Sequence, residues 1–219
     1  MNVSSRVFSV FSLLAAAVLA LSFSLSALAA TEGKEFVRIP QKQVDAPAGK
    51  IEVIDFFSYG CGHCAQLNPI INEWKKTLPD DVVFHKVPVA WGRDAWKALG
   101  RAYFTIEALG DSALDDKAFV ALQQQRINIH EEKGFLDWMA DNGIDRKKAE
   151  EMYKSFAISS KLTKSEKLEK DYQVNSVPHF YVNGNMEVKL DAIGSSKDFT
   201  RVLDEIIEIA RQENNKKKK

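Results

Sequence analysis

The chain lacks several features that would place it in a simple class of protein. Its 219 residues carry 30 basic and 30 acidic side chains, so the excess of lysine and arginine that marks a nucleic-acid binder is missing. The low hydrophobicity and high net charge of disordered chains are missing too, because 45% of the residues are hydrophobic. There is no internal repeat and no low-complexity linker. The length suits one medium-sized domain, or one domain with a sizeable insertion.

The first thirty residues have the pattern of a secretory signal peptide. Arg6 is their only charge, and an apolar stretch from Val7 to Leu21 follows it. The segment ends in the small residues Ala27-Leu28-Ala29-Ala30, which predict cleavage after Ala29 or Ala30. A retained transmembrane anchor is the alternative, since the apolar run is near spanning length. We therefore expect residues 1–30 to be removed and residues 31–219 to be exported.

The C-terminus carries a short basic run. Without Arg6 the mature chain has a net charge of −1, and without the run Lys216–Lys219 the remaining body has a net charge of −5. We predict that residues 213–219 form a disordered, solvated basic tail. Contact of this tail with a membrane or a partner is the alternative.

Only two cysteines are present, Cys61 and Cys64, and their spacing favours a redox pair. A structural bridge would gain little, because loop entropy gives so small a ring about 2 kcal/mol, against about 4–5 kcal/mol for a ring of a hundred residues. A zinc site would need a second CxxC or a closely spaced histidine pair, and His85, His130 and His179 have no such spacing. We therefore expect no bound metal.

The elements around the two cysteines suit redox chemistry. The β-branched and aromatic run Ile51–Ser58 predicts a central strand buried on both faces. Apolar residues from Leu67 to Trp74 recur at helical spacing and predict a helix that begins at the cysteines. The unpaired N–H groups and the positive dipole of its first turn would favour the thiolate of Cys61.

The rest of the chain predicts a second buried strand, a helical block, an antiparallel hairpin and a last helix. The strand is residues 81–87, and the helical block begins near residue 93. The hairpin joins residues 179–182 to 186–188 through Asn183-Gly184. Ser195 and Asp198 form a capping pattern at the start of the last helix.

This order of elements resembles the DsbA family of bacterial thiol:disulfide interchange proteins. The segment Phe56-Phe57-Ser58-Tyr59-Gly60-Cys61-Gly62-His63-Cys64 is similar to the family's active-site segment, and residues 174–184 are similar to its cis-proline loop and hairpin. The resemblance covers roughly residues 36–210 and implies an α/β thioredoxin-like fold, with a mixed central sheet flanked by helices. That domain would comprise residues 31–92 and 160–215, interrupted by an all-helical insertion at residues 93–159. The chain departs from the family in its Gly-His dipeptide, where Pro-His is commonest, and in His179.

Three residues of the CxxC segment receive roles. Cys61, at the helix start and the more exposed, is expected to attack and to form the mixed disulfide, and Cys64 to resolve it. His63 can donate to the Cys61 sulfur or add positive charge beside it. A solvent-facing His63 without a role is the alternative.

Asp55 is the candidate proton carrier. On the predicted strand it shares a face with Val53 and Phe57, so its carboxylate should be buried behind the CxxC helix. Burial would raise its pKa and let it hold or pass a proton while Cys64 exchanges. Lys86 is the expected ionic partner, and the resemblance supports an acid here. A strand-end carboxylate that reaches water is the alternative.

Pro178 and its neighbours are the candidate substrate contacts. Sequence alone favours a trans bond, and the resemblance implies a cis Val177–Pro178 bond that sets the Val177 backbone beside Cys61. That backbone could then pair with an extended substrate as an added strand. Trp91 is expected either to line an apolar groove on the same face or to be an ordinary core residue.

Together these residues predict an exported dithiol oxidase without a cofactor beyond its own disulfide. Its substrates would be unfolded exported polypeptides in the periplasm, and the resemblance implies reoxidation by a quinone-linked membrane partner such as DsbB. We expect a monomer. Two alternatives are a disulfide isomerase or reductant of the same compartment, and a chaperone-like binding module with a vestigial CxxC.

Overall fold

A mixed five-stranded sheet forms the centre of the protein, for which a computed structural model describes residues 30–110 and 113–217. The strand order is β1-β5-β4-β2-β3, and within it only β2 and β3 run parallel. In chain order the strands are β1 (Phe36–Arg38), β2 (Ile51–Phe57), β3 (Val82–Pro88), β4 (His179–Val182) and β5 (Met186–Val188). The predicted CxxC strand and hairpin are confirmed. The three-residue strand β1 was not predicted.

Seven α-helices and one short 3-10 helix, Leu190–Ala192, accompany the sheet in the described residues. The α-helices are, in chain order, α1 (Gly62–Lys75), α2 (Asp94–Leu109), α3 (Ala113–Gln123), α4 (Glu132–Asp141), α5 (Arg146–Tyr153), α6 (Phe156–Asp171) and α7 (Ser196–Lys217). Gly110 ends α2 with a φ of 78°, a left-handed conformation that glycine adopts without steric cost. Ser195 caps the N-terminus of α7 as predicted, since its hydroxyl accepts a hydrogen bond from the Asp198 N–H at 3.1 Å.

The central position of β2 follows from its composition. All seven of its residues are buried, because it has a strand on each side and helices on both faces. The apolar side chains of α7 pack against Val53 on one face, and the C-terminal half of α6 packs against Ile54 and Phe56 on the other. By contrast, β3 lies at the sheet edge, and its first four residues are only partly buried. The second predicted strand is therefore present, but only its last three residues are buried.

The helices α2 to α6 form a second core that meets the end of β2. Its apolar residues contact Phe57, Tyr59 and Cys64, so this helical layer covers the redox helix directly. Helix α6 runs without a break through residues 159/160, the predicted limit of the insertion. Ile158 and Leu162 of this helix pack in the helical core, and Leu168 packs on the sheet, so one helix serves both parts.

The structure describes most of the C-terminal segment but almost none of the N-terminal one. The predicted signal peptide lies almost wholly outside the described residues, which begin at Ala30. Of the tail predicted as disordered at residues 213–219, residues 213–217 belong to α7, which continues to Lys217, and residues 218–219 lie outside the described residues. Glu213 forms an ion pair with Arg38 at 2.6 Å, which anchors the last turns of α7 to β1. Across residues 30–110 and 113–217, no helix combines the length and apolar character needed to cross a membrane.

Candidate active site

Cys61 and Cys64 lie at the N-terminus of α1, as predicted. Cys61 is the N-cap residue, and its sulfur accepts a hydrogen bond from the backbone N–H of Cys64 at 3.2 Å. The two thiols are free, with Cys61 partly exposed and Cys64 buried. The sulfur that solvent can reach is therefore also the group that satisfies the first turn of the helix.

The environment separates the acidities of the two thiols. The pKa of Cys61 is lowered to about 6, first by the hydrogen bond from the Cys64 side chain, and then by the backbone N–H groups of Cys64 and His63 and by the positive charge of His63. Partial burial of the Cys61 thiol opposes this shift. The pKa of Cys64 is raised well above its ordinary value by burial, by its hydrogen bond to Cys61 and by the nearby charge of Asp55. At neutral pH the accessible sulfur is thus a thiolate and the buried one a thiol.

The loop before β4 approaches the reactive sulfur. The Val177–Pro178 peptide bond is cis, as the resemblance implied. The Cys61 sulfur lies 3.3 Å from the Val177 carbonyl oxygen, to which the protonated thiol donates a hydrogen bond, so the backbone of this loop lies directly beside Cys61.

A groove of about 320 Å³ opens next to this contact. Polar and apolar side chains from α1, the cis-proline loop and the start of α7 line it, among them His63, Leu67, Ile70, Pro178, Ile193 and Phe199. Trp91 is not among the lining residues. It contacts the Trp96 ring at 5.1 Å between centroids, and its indole N–H donates to the Val174 carbonyl at 2.7 Å, so it braces the segment that leads into the cis-proline loop.

Asp55 is buried, as predicted, with an exposed fraction of 2%. Its Oδ1 has no hydrogen-bond partner among the described residues. Burial is the main cause that raises the pKa of Asp55 to about 7, and the positive charge of Lys86 opposes the shift. The alternative of a strand-end carboxylate that reaches water is excluded by this burial.

The predicted Asp55–Lys86 ion pair is wrong. The ammonium of Lys86 pairs with Asp115 Oδ2 at 2.7 Å and donates to Asn68 Oδ1 at 2.8 Å. Asp115 belongs to helix α3, 29 residues along the chain from Lys86. Its position could not be read from the strand pattern, because the contact depends on how the helical layer docks on the sheet.

Comparison with known proteins identifies the family. A family model for the DSBA-like thioredoxin domain matches residues 84–198, and one for thioredoxin matches residues 32–104. The "Thiol:disulfide interchange protein DsbA" of Bordetella parapertussis is 35% identical over 174 residues, which cover 78% of this chain and 82% of that protein. The protein of the same name from Azotobacter vinelandii is 34% identical over 180 residues, with coverage of 82% and 84%. The chain belongs to the DsbA family.

A solved structure agrees with this assignment. The crystal structure of Pseudomonas aeruginosa DsbA superposes with a TM-score of 0.79 at 33% sequence identity, and the match covers 84% of this chain and 96% of that one. The thioredoxin-like fold with helices on both faces of a mixed sheet is therefore the DsbA fold, as the resemblance implied.

Two further side chains of this DsbA-family site were not predicted. Gln123 of α3 donates from Nε2 to the carbonyl oxygens of Tyr59, at 2.7 Å, and Cys61, at 3.0 Å. The Tyr59 hydroxyl donates to Asp115 Oδ1 at 2.8 Å. A glutamine on a polar helix face gives no local signal of such a role. Within the described ranges, no group of three or more His, Cys, Asp or Glu side chains is placed to hold a metal ion.

Proposed function

We propose that this chain is an exported disulfide oxidase, which passes a Cys61–Cys64 disulfide to newly translocated, unfolded polypeptides. Its family makes it a thiol:disulfide oxidoreductase. The direction of exchange rests on one observation: the sulfur of Cys61 caps α1 and has a pKa lowered to about 6. A thiolate held by the helix terminus stabilises the dithiol form, so the disulfide is given away readily.

The exchange proceeds in two steps. In the first, a substrate thiolate attacks the Cys61 sulfur, a substrate–Cys61 disulfide forms, and the Cys61–Cys64 bond breaks with its electron pair on Cys64. In the second, another substrate thiolate attacks the substrate sulfur of that mixed disulfide and releases the Cys61 thiolate. The substrate loses two electrons to form its disulfide, and the protein gains two as the Cys61–Cys64 dithiol.

Each site residue has a role in this scheme. Cys64 takes up a proton as it leaves, because its raised pKa makes the thiol the stable form. Asp55 holds that proton, since its own pKa of about 7 allows both protonation states near neutral pH. His63 adds positive charge beside the Cys61 thiolate.

The substrate contacts lie around the cis-proline loop. The Val177 backbone, held beside Cys61 next to Pro178, pairs with an extended polypeptide as an added strand, and the adjoining groove takes its side chains. Trp91 supports this surface through its bond to Val174.

The proposal includes the setting of the reaction. The chain works in the periplasm as a monomer after removal of its signal peptide. Its only redox group is the Cys61–Cys64 pair, with no added cofactor, and a DsbB-like quinone reductase in the membrane restores the disulfide.

Equilibration of the purified protein with glutathione redox buffers tests the direction of exchange. We expect a reduction potential above about −200 mV, with Cys64→Ser as the control that cannot form the intramolecular disulfide. A potential near that of thioredoxin, about −270 mV, would contradict the oxidase and favour the reductant.

Two companion assays test for an isomerase and for a chaperone-like module. If the protein is an isomerase, its reduced form would reactivate a substrate with scrambled disulfides faster than its oxidised form introduces disulfides into a reduced substrate. If the protein is a chaperone-like module, its Cys61→Ser variant would suppress aggregation of an unfolded substrate as well as the wild-type protein does. We expect oxidation of a reduced substrate to be the fastest of these activities and to be lost in Cys61→Ser.

A further inference from the structure

Asp55 and Lys86 are neighbours that do not bond. They are register partners on the parallel strands β2 and β3, so their side chains point to the same face of the sheet. Both are buried, with exposed fractions of 2% and 7%. A buried carboxyl beside a buried ammonium ordinarily forms a pair, yet Asp55 Oδ1 has no partner in the described residues.

The surroundings of the Lys86 ammonium explain this. An ammonium has three N–H donors. One faces Asp115 Oδ2 at 2.7 Å, and a second faces Asn68 Oδ1 at 2.8 Å. Nζ also lies 4.2 Å from the centroid of the Phe57 ring, the distance of a cation–π contact. These three contacts hold the ammonium against Asp115, Asn68 and Phe57, and Lys86 forms no hydrogen bond with Asp55 Oδ1.

Asp115 itself is held in place. Its side chain is 14% exposed, and its Oδ1 accepts from the Tyr59 hydroxyl at 2.8 Å while Oδ2 binds Lys86. The carboxylate is therefore oriented from the active-site segment on one side and from β3 on the other.

We propose that Asp115 is a positioning residue that draws Lys86 away from Asp55 and thereby keeps Asp55 able to carry the proton of Cys64. The helical insertion, through this one carboxylate, thus controls the proton chemistry of the redox pair in the thioredoxin part. This inference rests on the proposed function for the use made of the proton, but the pairing of Lys86 stands on its own.

The other groups that face Asp55 do not replace Lys86. From α1 these are Cys61, Cys64 and Lys75, and from α2 it is Tyr103, with Glu107 beside Lys75 and Tyr103. The ionised Cys61 and, from α3, Asp115 are negative and favour a protonated Asp55. Lys75 is an exposed residue and lowers the pKa of Asp55 less than Lys86 does. Lys86 is therefore the cation whose position decides the ionisation of Asp55.

The variant Asp115→Asn tests the proposal in the dithiol protein. The amide keeps the shape of the side chain but removes the charge that holds Lys86, so the ammonium should turn to Asp55. We expect the pKa of Asp55, followed by ¹³C NMR of its carboxyl carbon, to fall by at least one unit. Asp116→Asn is the neighbouring control: Asp116 accepts from Asn68 and Asn72 and reaches Lys86 only through Asn68, so its loss should lower the pKa of Asp55 less than Asp115→Asn does.

A kinetic readout follows the same proton. When Cys64 attacks a Cys61–glutathione mixed disulfide, its thiol proton passes to Asp55, the Cys61–Cys64 bond forms, and glutathione leaves with the electron pair. The pH midpoint of this step should move to lower pH in Asp115→Asn by the same amount as the NMR midpoint. Asp115→Glu, which keeps the carboxylate, should restore the wild-type midpoint.

A midpoint for Asp55 that is the same in Asp115→Asn and Asp116→Asn would overturn the proposal. If Asp115→Asn does not fold, Asp115→Ser serves as the second variant. NMR of the wild-type protein provides an independent test. Scalar couplings across hydrogen bonds should connect Lys86 ¹⁵Nζ with the carboxyl carbon of Asp115. A coupling to Asp55 instead would overturn the proposal. None of these titrations uses oxidase activity, so the glutathione potential can fail while the Asp115 result stands.

Discussion

The sulfur of Cys61 and the carbonyl oxygen of Val177 lie 3.3 Å apart, although 116 residues separate them in the chain. The thiol can donate to this oxygen, whereas the thiolate cannot. Loss of the Cys61 thiol proton therefore frees the Val177 carbonyl oxygen as a backbone acceptor for the N–H group of an extended polypeptide.

The acidity of Cys61 is the first testable quantity. Because the N-terminus of α1 and the Cys64 thiol stabilise the thiolate, we expect the rate of Cys61 alkylation to follow a titration with a pKa of about 6. The measurement is iodoacetamide labelling against pH in Cys64→Ala and in the wild-type dithiol. The Cys64→Ala curve should lie at higher pH, because the hydrogen bond from the Cys64 side chain is the largest stabilising cause. A wild-type midpoint near 8.5, the value of a free cysteine, would contradict the assignment.

Replacement of His63 should weaken the oxidant. Its ring charge and its backbone N–H both lower the pKa of Cys61. His63→Ser removes only the ring, and His63→Pro removes the ring and the N–H, so the potential should fall in both variants and further in His63→Pro. Glutathione equilibration measures this order, with the exposed Gln66→Ser as a control on the same helix. Equal reduction potentials in the wild-type protein and in all three variants would mean that His63 is a solvent-facing residue without a role.

Asp55→Asn should stabilise the fold in a pH-dependent way. The folded pKa of about 7 lies above that of an unfolded aspartate, so between pH 4 and 7 the carboxyl ionises on unfolding and the wild-type stability falls as pH rises. The variant lacks this loss, and its advantage should grow from pH 4 to pH 8 by up to about 4 kcal/mol. Urea unfolding at several pH values measures it. A stability difference that does not change with pH would mean that Asp55 is ionised in the folded protein.

Gln123→Ala should loosen the CxxC segment. Its amide donates to the carbonyl oxygens of both Tyr59 and Cys61, so the substitution removes two neutral hydrogen bonds, worth about 1–3 kcal/mol together. Chemical unfolding measures the loss, and amide exchange in residues 59–62 should become faster. The adjacent exposed Gln124→Ala is the control and should change neither quantity. Equal stability of the two variants would show that the bonds of Gln123 contribute nothing.

Local sequence patterns were sufficient for much of the fold and for the redox pair. The spacing of apolar residues within β2 and within α1 was enough to predict that strand and that helix. The dipeptide Asn183-Gly184 predicted the hairpin between β4 and β5. The burial of Asp55 followed from its two apolar neighbours on the same strand face. The resemblance to a known family supplied the cis-proline bond, which composition alone would have made trans.

Contacts between distant parts could not be predicted in this way. The strand pattern places Lys86 beside Asp55 and so predicts that the two form an ion pair. The observed partner of Lys86 is Asp115, which lies on a helix whose packing against the sheet no local pattern describes. The charge of the C-terminal run predicts a disordered tail, whereas α7 continues to Lys217 and its Glu213 forms an ion pair with Arg38 of β1. In each case the observed contact joins residues that are far apart in the chain.

The sheet topology has a consequence for how the chain folds. Strand β1 pairs with β5, and one edge of β2 pairs with β4, so both pairings need residues that lie more than a hundred positions later. Such a high contact order slows folding, because long loops must close before the pairs form. A chain truncated within α2 to α6 would leave β1 and that edge of β2 without partners, and exposed strand edges promote aggregation. Synthesis must therefore reach β5 before both β1 and this edge of β2 have their partner strands.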